Sequence, residues 1–228
     1  MNNTLVGMID HTLLKPESLY GDYTVLVRQA VEFGFKNVCV NSVFVPLVSS
    51  LVNAHPYSNV GVCSVVGFPF GLSDVHTKSL ETERAIAKGA SEIDFVINIS
   101  AVRSADWKRV KDEFVELREA SEHHILKVIL EVGLLSTEEI KRCCALAVET
   151  NLDFVKSSTG VNIKLEPAKT AEYIKLMRDY VNGSRVRVKA SGGIKSLKDC
   201  QMMIDAGASR IGSSNSAEIM KELRGDLI

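Results

Sequence analysis

Short runs rich in β-branched and aromatic residues alternate with helical segments along the whole chain. Strands that alternate regularly with helices predict βαβ units and a parallel sheet. Several runs, such as Val60–Val66, are apolar on both faces, as expected of strands that are covered on both sides. Eight units in 228 residues favour a closed (β/α)8 TIM barrel over an open doubly wound sheet. We therefore predict an α/β fold with a single domain over residues 1–228. The predicted strands are Gly7–Thr12, Asn37–Asn41, Val60–Val66, Glu92–Asn98, Ile125–Glu131, Phe154–Ser157, Arg185–Ala190 and Arg210–Gly212.

Capping signals mark the starts of the helices between these strands. Ser136-Thr137-Glu138-Glu139 matches a capping box, in which the serine and the second glutamate satisfy free N–H groups of the first turn. Pro167 suits the first helical position, where an N–H is not needed. The residues expected to cap helices are Asp22, Ser73, Ser104, Ser136 and Ser196.

The composition is that of an ordinary globular protein, with 46% hydrophobic and 24% charged residues and a net charge of −1. This charge gives no support to nucleic acid or an acidic membrane surface as a partner. Met1–Asp10 lacks the pattern of a signal peptide, and no apolar run reaches the ~18 residues of a membrane span. The five cysteines form no CxxC pair, so we expect reduced thiols in a cytoplasmic protein.

Two lysines stand near the ends of consecutive predicted strands, Lys156 in Asp153–Gly160 and Lys189 in Val186–Gly193. Neighbouring strands lie about 4.8 Å apart, so the two side chains could be adjacent. A free lysine has a pKa of about 10.4, and roughly one amine in ~2,500 is neutral at pH 7. Apolar burial and a neighbouring cation both favour the neutral, nucleophilic form. We predict Lys156 as the nucleophile; the alternative is that each lysine pairs with a buried carboxylate or binds an anion.

Asp94 lies among apolar residues in Glu92–Asn98, where a carboxylate is costly unless it is paired. Its functional role would be to transfer protons or to orient the amine and a water molecule. Its structural role would be a salt bridge with a lysine, and a pair with Lys189 would serve both. Strand parity also predicts that Arg187 enters the barrel, with Glu92 as a candidate partner.

Glycine and serine residues follow the last predicted strands. Gly192-Gly193 follows strand seven, and Gly212-Ser213-Ser214 follows strand eight and precedes a helix. Barrel enzymes often bind phosphate with these two loops and a helix N-terminus. Gly160, after strand six, could join them. The loops therefore predict a phosphate site, although simple turns would use the same residues.

Ligand patterns for metals and nucleotides are missing from the sequence. The five histidines show no HxxxH or comparable spacing, which disfavours zinc. No GxGxxG or GxxxxGK[ST] segment occurs, so dinucleotide-binding and P-loop functions have no support. We expect neither a metal nor a cofactor.

Taken together, these segments resemble deoxyribose-phosphate aldolase over nearly the whole chain. The most specific parts are Phe154–Gly160 and Val188–Ile194. The other segments that carry the resemblance are Ile9–Pro16, Val38–Asn41, Val66–Pro69, Glu92–Asn98 and Leu126–Glu131.

The resemblance implies a metal-free class I aldolase that cleaves 2-deoxy-D-ribose 5-phosphate reversibly to acetaldehyde and D-glyceraldehyde 3-phosphate. By motif position, Lys156 corresponds to the Schiff-base lysine. Lys189 corresponds to a second lysine that tunes it and aids proton transfer, and Asp94 to the acidic partner in the proton relay. The implied pocket residues are Asp10, Thr12, Cys39, Lys127 and Thr159. The implied phosphate region contains Gly160, Gly192, Gly193, Ser213 and Ser214.

The implied partners are phosphorylated sugar and aldehyde substrates, and a homodimer fits such a barrel.

Two features differ from relatives: Val161–Pro167 replaces a glycine-rich run that often follows Gly160, and the chain stops at Ile228 without a longer tail that ends in a tyrosine. We expect no contribution from such a tyrosine. Two alternatives stay open, a class I aldolase for another phosphorylated sugar and a non-catalytic phosphosugar-binding barrel.

Overall fold

Eight parallel strands close into a barrel in sequence order in the computed structural model of this chain. The structure describes residues 5–225, so the first four and last three residues of the predicted domain, including the end of the C-terminal tail, lie outside the described residues. The predicted TIM barrel is confirmed. Its strands are β1 (Ile9–Leu13), β2 (Asn37–Asn41), β3 (Gly61–Val66), β4 (Glu92–Val96), β5 (Ile125–Ile129), β6 (Phe154–Lys156), β7 (Arg187–Ser191) and β8 (Arg210–Ser213).

Helices cover the outside of the barrel. They are α1 (Tyr20–Phe33), α2 (Val45–Asn53), α3 (Val75–Ala87), α4 (Ile99–Arg103), α5 (Trp107–Ala120), α6 (Thr137–Glu149), α7 (Pro167–Val181), α8 (Leu197–Asp205) and α9 (Ser216–Arg224). Their apolar faces pack on the outward residues of the strands. Phe114 of α5, for example, meets Phe95 of β4 edge to face, with ring centroids 5.6 Å apart. Within residues 5–225, the structure contains no helix with the length and apolar character needed to cross a bilayer.

Two strands end two residues earlier than predicted because their predicted last residues take other structural roles. Strand β4 ends at Val96, since the Asn98 side chain caps α4 by accepting a hydrogen bond from the Ala101 N–H at 3.0 Å. Strand β5 ends at Ile129, and Glu131 has a φ of +55°, in the left-handed region that a strand cannot use.

The predicted helix starts are partly confirmed. Ser136 and Ser196 each form a complete capping box, and Pro167 is the first residue of α7. The predicted caps Asp22, Ser73 and Ser104 are wrong. Helix α1 begins at Tyr20, and Asp22 accepts a hydrogen bond from the Leu19 N–H at 2.8 Å from within the first turn. The caps of α3 and α5 are instead Asp74 and Asp106, whose carboxylates reach the N–H three residues on.

Strand register brings the polar residues together inside the barrel. Lys156 on β6 and Lys189 on β7 are direct Cα partners, and Asp94 on β4 is paired with Lys127 on β5. Because side chains alternate between the two faces of a strand, Ile93 and Phe95 face the helices while Asp94 faces inward. The barrel therefore has an apolar outer layer and a charged centre.

Candidate active site

Seven ionisable side chains meet inside the barrel, and each is between 0% and 4% exposed. Four are cationic and three are carboxylic. Charged groups buried to this degree are tolerated when they are paired, and salt bridges of 2.6 to 2.9 Å link most of them. The cations are Lys127, Lys156, Lys189 and Arg210, and the carboxylates are Asp10, Glu92 and Asp94.

Asp94 is the centre of this network. Its Oδ2 accepts hydrogen bonds from Lys156 Nζ at 2.8 Å and from Lys189 Nζ at 2.7 Å. Its Oδ1 accepts one from Lys127 Nζ at 2.8 Å. Burial disfavours the charged carboxylate, but the three lysines outweigh it and hold the pKa of Asp94 well below its usual value. Asp94 therefore remains an anion that accepts hydrogen bonds from three lysine amines.

Lys189 has a second carboxylate partner in Asp10, whose Oδ2 accepts its other hydrogen bond. Burial alone would lower the pKa of Lys189, yet Asp10 and Asp94 raise it well above the usual value. Asp10 is fixed in turn by Asn37 Nδ2 at 2.8 Å and by Arg210 Nη1 at 2.9 Å. Lys189 is consequently a firmly protonated cation beside Lys156.

Glu92 lies one layer lower, toward the N-terminal ends of the strands. It pairs with Lys127 at 2.6 Å and with Arg210 at 2.9 Å. The expected pairing of Glu92 with Arg187 is therefore wrong. Arg187 is exposed at the start of β7, with its guanidinium 4.2 Å from the centroid of the Phe154 ring. The arginine that lies against Glu92 is Arg210, the first residue of β8.

Lys156 differs from the other three cations in its surroundings. Among the described residues it has one carboxylate contact, with Asp94, whereas Lys127, Lys189 and Arg210 each contact two. It also lines a cavity of about 300 Å³ at the C-terminal ends of the strands. Lys156 is thus the one amine of the network that an entering molecule can reach in the described part of the chain.

The cavity walls come from the loops that follow β1, β6, β7 and β8. Thr12, Thr159, Gly160, Gly192, Gly193, Ser213 and Ser214 line it, which brings together seven of the residues selected from the sequence. Lys15 and Lys195 also line it from exposed positions at the rim. These two cations give the outer cavity a positive charge, as expected for an anion-binding surface.

Glycine is required where the β6 and β7 loops approach each other. Gly160 and Gly192 have φ values of +78° and +89°, in the left-handed region that favours glycine. A Cβ atom on Gly192 would lie 3.2 Å from Ser158 Cβ and 3.6 Å from Gly160 Cα. Both loops therefore present bare backbone to the cavity, close to the N-terminus of α9.

The serines at the end of β8 both line the cavity, and the Ser213 hydroxyl also makes contacts within the protein. Ser213 Oγ donates to the Ile194 carbonyl at 2.7 Å and accepts from the Asn215 N–H at 3.0 Å. Its hydroxyl thus joins the β7 and β8 loops, and Ser216 is the first residue of α9. Ser214 is exposed beside the cavity.

Glu131 fixes the loop that follows β6. Its Oε2 accepts hydrogen bonds from the Thr159 hydroxyl, from the Thr159 N–H at 3.2 Å and from Asn162 Nδ2 at 3.1 Å. Asn162 also donates to the Pro69 carbonyl at 2.8 Å. Through Asn162, the Val161–Pro167 segment is therefore tied to two other βα loops.

Three further predicted site residues lie at the edge of the cavity or beneath it. Thr12 lines the cavity and donates its hydroxyl to the Asp10 carbonyl at 2.8 Å. Lys127 is fully buried in the ion-pair network, below the cavity lining. Cys39 is fully buried too, against Cys63 and Val65.

One group of residues in the described chain has donor atoms close enough to share a metal ion: Cys39, Cys63 and Asp94, within 4.8 Å of one another. Both Asp94 oxygens already accept hydrogen bonds from lysines, and Lys127 Nζ lies 3.6 Å from Cys63 Sγ. The ammonium groups of Lys127 and Lys189 beside this carboxylate oppose a divalent cation. The arrangement is suited instead to a polar carbonyl group and a phosphate.

Sequence reasoning assigned no role to Arg210, Lys15 or Lys195. Arg210 opens strand eight in the same parity as Gly212, a signal that it faces inward. Its partners could not be deduced, because the register of a closed barrel depends on the stagger of all eight strands. Lys15 follows strand one and Lys195 follows strand seven, so both positions are typical of cavity-lining residues in a barrel.

Comparison with known proteins identifies the family of this chain. Residues 4–219 match the family model described as DeoC/LacD family aldolase. A deoxyribose-phosphate aldolase of Mycoplasma capricolum is 44% identical over 212 residues, covering 93% of this chain and 92% of that one. A deoxyribose-phosphate aldolase of Halalkalibacterium halodurans is 43% identical and covers 99% of each chain.

Solved structures give the same result at the level of the fold. A tetrameric deoxyribose phosphate aldolase from Aeropyrum pernix superposes with a TM-score of 0.88 at 29% identity, covering 100% of this chain and 94% of that one. A protein described as QR15, an aldolase, superposes with a TM-score of 0.90 at 36% identity, covering 97% and 96%.

Proposed function

This chain belongs to the DeoC/LacD family of aldolases, and we propose that it cleaves 2-deoxy-D-ribose 5-phosphate reversibly to D-glyceraldehyde 3-phosphate and acetaldehyde through a Schiff base on Lys156. The observation that carries the proposal is the position of Lys156. Its amine lies at the floor of the cavity, next to the protonated Lys189 and within 2.8 Å of Asp94. The relatives that share nearly the full length carry the same activity in their names.

The first step is attack of the neutral Lys156 amine on the C1 aldehyde of the open-chain sugar. The carbinolamine that forms loses water and becomes an iminium ion. Positive charge on Lys189 opposes a second ammonium at Lys156 and so favours the neutral amine. Asp94 Oδ2, which accepts from both amines, is positioned to pass protons during these steps.

Bond cleavage follows from the iminium ion. The C3 hydroxyl loses its proton to a base, the C2–C3 bond breaks, and its electron pair moves into the iminium group. Glyceraldehyde 3-phosphate leaves, and the enamine of acetaldehyde remains on Lys156. Protonation at C2 and hydrolysis then release acetaldehyde and restore the amine.

The substrate phosphate would bind at the outer end of the cavity. Backbone N–H groups of the Gly160 and Gly192 loops and the N-terminus of α9 are typical of phosphate sites. Lys15 and Lys195 at the rim add charge of the right sign. The distance from the lysine to this end of the cavity then selects a sugar phosphate of defined length.

We infer a cytoplasmic enzyme of deoxynucleoside catabolism that needs no metal. All five cysteines are free and buried, consistent with a reducing compartment. The Aeropyrum pernix relative is described as tetrameric; for this chain a homodimer remains our proposal.

Incubation with acetaldehyde followed by borohydride separates the candidate functions. An adduct on Lys156 together with cleavage of deoxyribose 5-phosphate supports the proposal. An adduct without cleavage of that sugar indicates an aldolase for another phosphorylated substrate. Absence of an adduct indicates a non-catalytic phosphosugar-binding barrel.

A further inference from the structure

The buried network contains one more cation than carboxylates. Lys127, Lys156, Lys189 and Arg210 face Asp10, Glu92 and Asp94, all between 0% and 4% exposed. If every group were ionised, the interior of the barrel would hold one uncompensated positive charge. An unpaired buried charge costs several kcal/mol, so the network favours the loss of one proton.

The contacts show which of the four cations has the fewest carboxylate partners. Arg210 contacts Asp10 and Glu92, and Lys127 and Lys189 also contact two carboxylates each. Lys156 contacts Asp94 alone within the described residues, and Asp94 is already shared with two other lysines. A neutral Lys156 leaves three cations balanced by three carboxylates.

Other groups that face the network do not change this count, with one exception. Cys63 donates to Asp94 at 3.2 Å, and burial raises the pKa of its thiol. Asn37 on β2 is an uncharged amide, and Arg187 is exposed, with its guanidinium over the Phe154 ring. The exception is Cys39, because a hydrogen bond from Cys63 lowers the pKa of its thiol.

The loops above the network add few charges near Lys156. Glu131 is buried but directed to the Thr159 loop. Lys15 and Lys195 are exposed at the rim, where solvent screens them. Cys39 is therefore the competing site of proton loss, and the experiment must separate a Cys39 thiolate from a neutral Lys156.

We propose that Arg210 and Glu92 are positioning residues that set the protonation state of Lys156 through the balance of charge in the barrel, without touching the substrate. Neither lines the cavity, and they bind each other at 2.9 Å one layer below it. The inference depends on the proposed role of Lys156 as the Schiff-base lysine. It predicts that removing the Arg210 cation and removing the Glu92 carboxylate shift the pH of imine formation in opposite directions.

Three variants test the balance. Arg210→Met leaves three cations and three carboxylates, so Lys156 keeps its proton more firmly and imine formation shifts to higher pH. Glu92→Gln leaves four cations and two carboxylates and shifts imine formation to lower pH. The double variant has one excess cation again and returns toward the parent profile. Each single shift should be about one pH unit, the size expected for a nearby buried charge.

The measurement is the initial rate of imine formation with acetaldehyde between pH 6 and 10. Samples are quenched with borohydride, and the adduct on Lys156 is quantified by mass spectrometry. Far-UV circular dichroism and the melting temperature check each fold. Cys39→Ala is included as a test of the competing site, and only the pH midpoint of its profile is compared, whatever its rate. The midpoint should match that of the parent protein if Lys156 loses the proton, whereas a shifted midpoint would assign the proton loss to Cys39 and overturn the inference.

Equal profiles in all variants, or single shifts of the same sign, would also contradict the inference. A double variant that forms the imine more slowly than both single variants would indicate structural damage and would also contradict the inference. If Arg210→Met does not fold, the other two variants still test the inference. Imine formation should shift to lower pH in Glu92→Gln and should follow the parental profile in the double variant. Failure of the proposed function is distinguishable, because the parent protein would then form no adduct at Lys156 at any pH.

Discussion

Lys156 and Lys189 donate to the same oxygen, Oδ2 of Asp94, at 2.8 and 2.7 Å. They are direct Cα partners on neighbouring strands, so the backbone rather than a flexible loop fixes their separation. The single negative charge of Asp94 can balance only one of two ammonium groups on this oxygen. Lys189 has Asp10 as a second carboxylate partner. This asymmetry favours the charge on Lys189 and supports the proposed role of Lys156 as the nucleophile.

Lys189→Leu should shift the pH–rate profile for sugar cleavage to higher pH. Removal of this buried cation leaves Lys156 as the amine on Asp94 Oδ2, so the Lys156 ammonium becomes more stable. Activity at pH 7 should fall by at least tenfold and recover partly above pH 9. An unchanged profile would show that Lys189 does not tune the reacting amine.

Asp94→Asn should reduce both activity and stability. The amide cannot accept hydrogen bonds from three lysine amines as a carboxylate does, and breaking a buried ion pair costs about 3–5 kcal/mol. Loss of a proton carrier should lower kcat by about 10²–10⁴. The matched control is Asp112→Asn, which removes an exposed pair with Lys108; chemical denaturation should show little or no change in stability for it. Equal losses in both variants would refute the central role of Asp94.

Gly192→Ala should weaken substrate binding more than imine formation. Its φ is +89°, and the added Cβ would lie 3.2 Å from Ser158 Cβ inside the cavity wall. KM for deoxyribose 5-phosphate should rise about tenfold, equal to ~1.4 kcal/mol, while acetaldehyde still forms its adduct. Gly183→Ala is the control, since Gly183 has a φ of +82° with no atom within 4 Å of the added Cβ. A normal KM in Gly192→Ala would place the phosphate elsewhere.

Stability should decline in acid. Asp10 and Asp94 have pKa values below their usual range because their cationic partners outweigh the cost of burial. Their contribution is complete above the unfolded pKa of about 3.9 and is lost as pH falls through the folded values. The free energy of unfolding, measured with urea, should be insensitive to these groups between pH 5 and 7. Below pH 4 it should fall by up to about 1.4 kcal/mol per pH unit for each carboxylate. A constant value down to pH 2 would contradict the ion-pair network.

The sequence was sufficient to predict the barrel and the inward lysines, because both follow from local patterns. Strand and helix periods are properties of single segments, and a lysine among apolar strand residues is visible in one segment such as Phe154–Ser157. Two strands that are consecutive in the chain are also neighbours in such a barrel, so the pairing of Lys156 with Lys189 could be expected.

Contacts across the barrel could not be predicted in this way. Arg210 and Glu92 belong to opposite strands, β8 and β4, and their meeting depends on the tilt and stagger of the whole sheet. The same limit explains the wrong prediction that Glu92 pairs with Arg187, since Glu92 pairs with Arg210. Helix caps failed for a local reason, since Asp74 and Asp106 lie one and two residues after the serines that the sequence favoured.

Peptide mapping of the borohydride-reduced acetaldehyde adduct tests the central claim most directly. The account predicts a single major site at Lys156 and no adduct in a folded Lys156→Ala variant, while Lys175→Ala, which removes an exposed lysine of α7, labels like the parent. An adduct on Lys189, or full labelling and activity in Lys156→Ala, would contradict it.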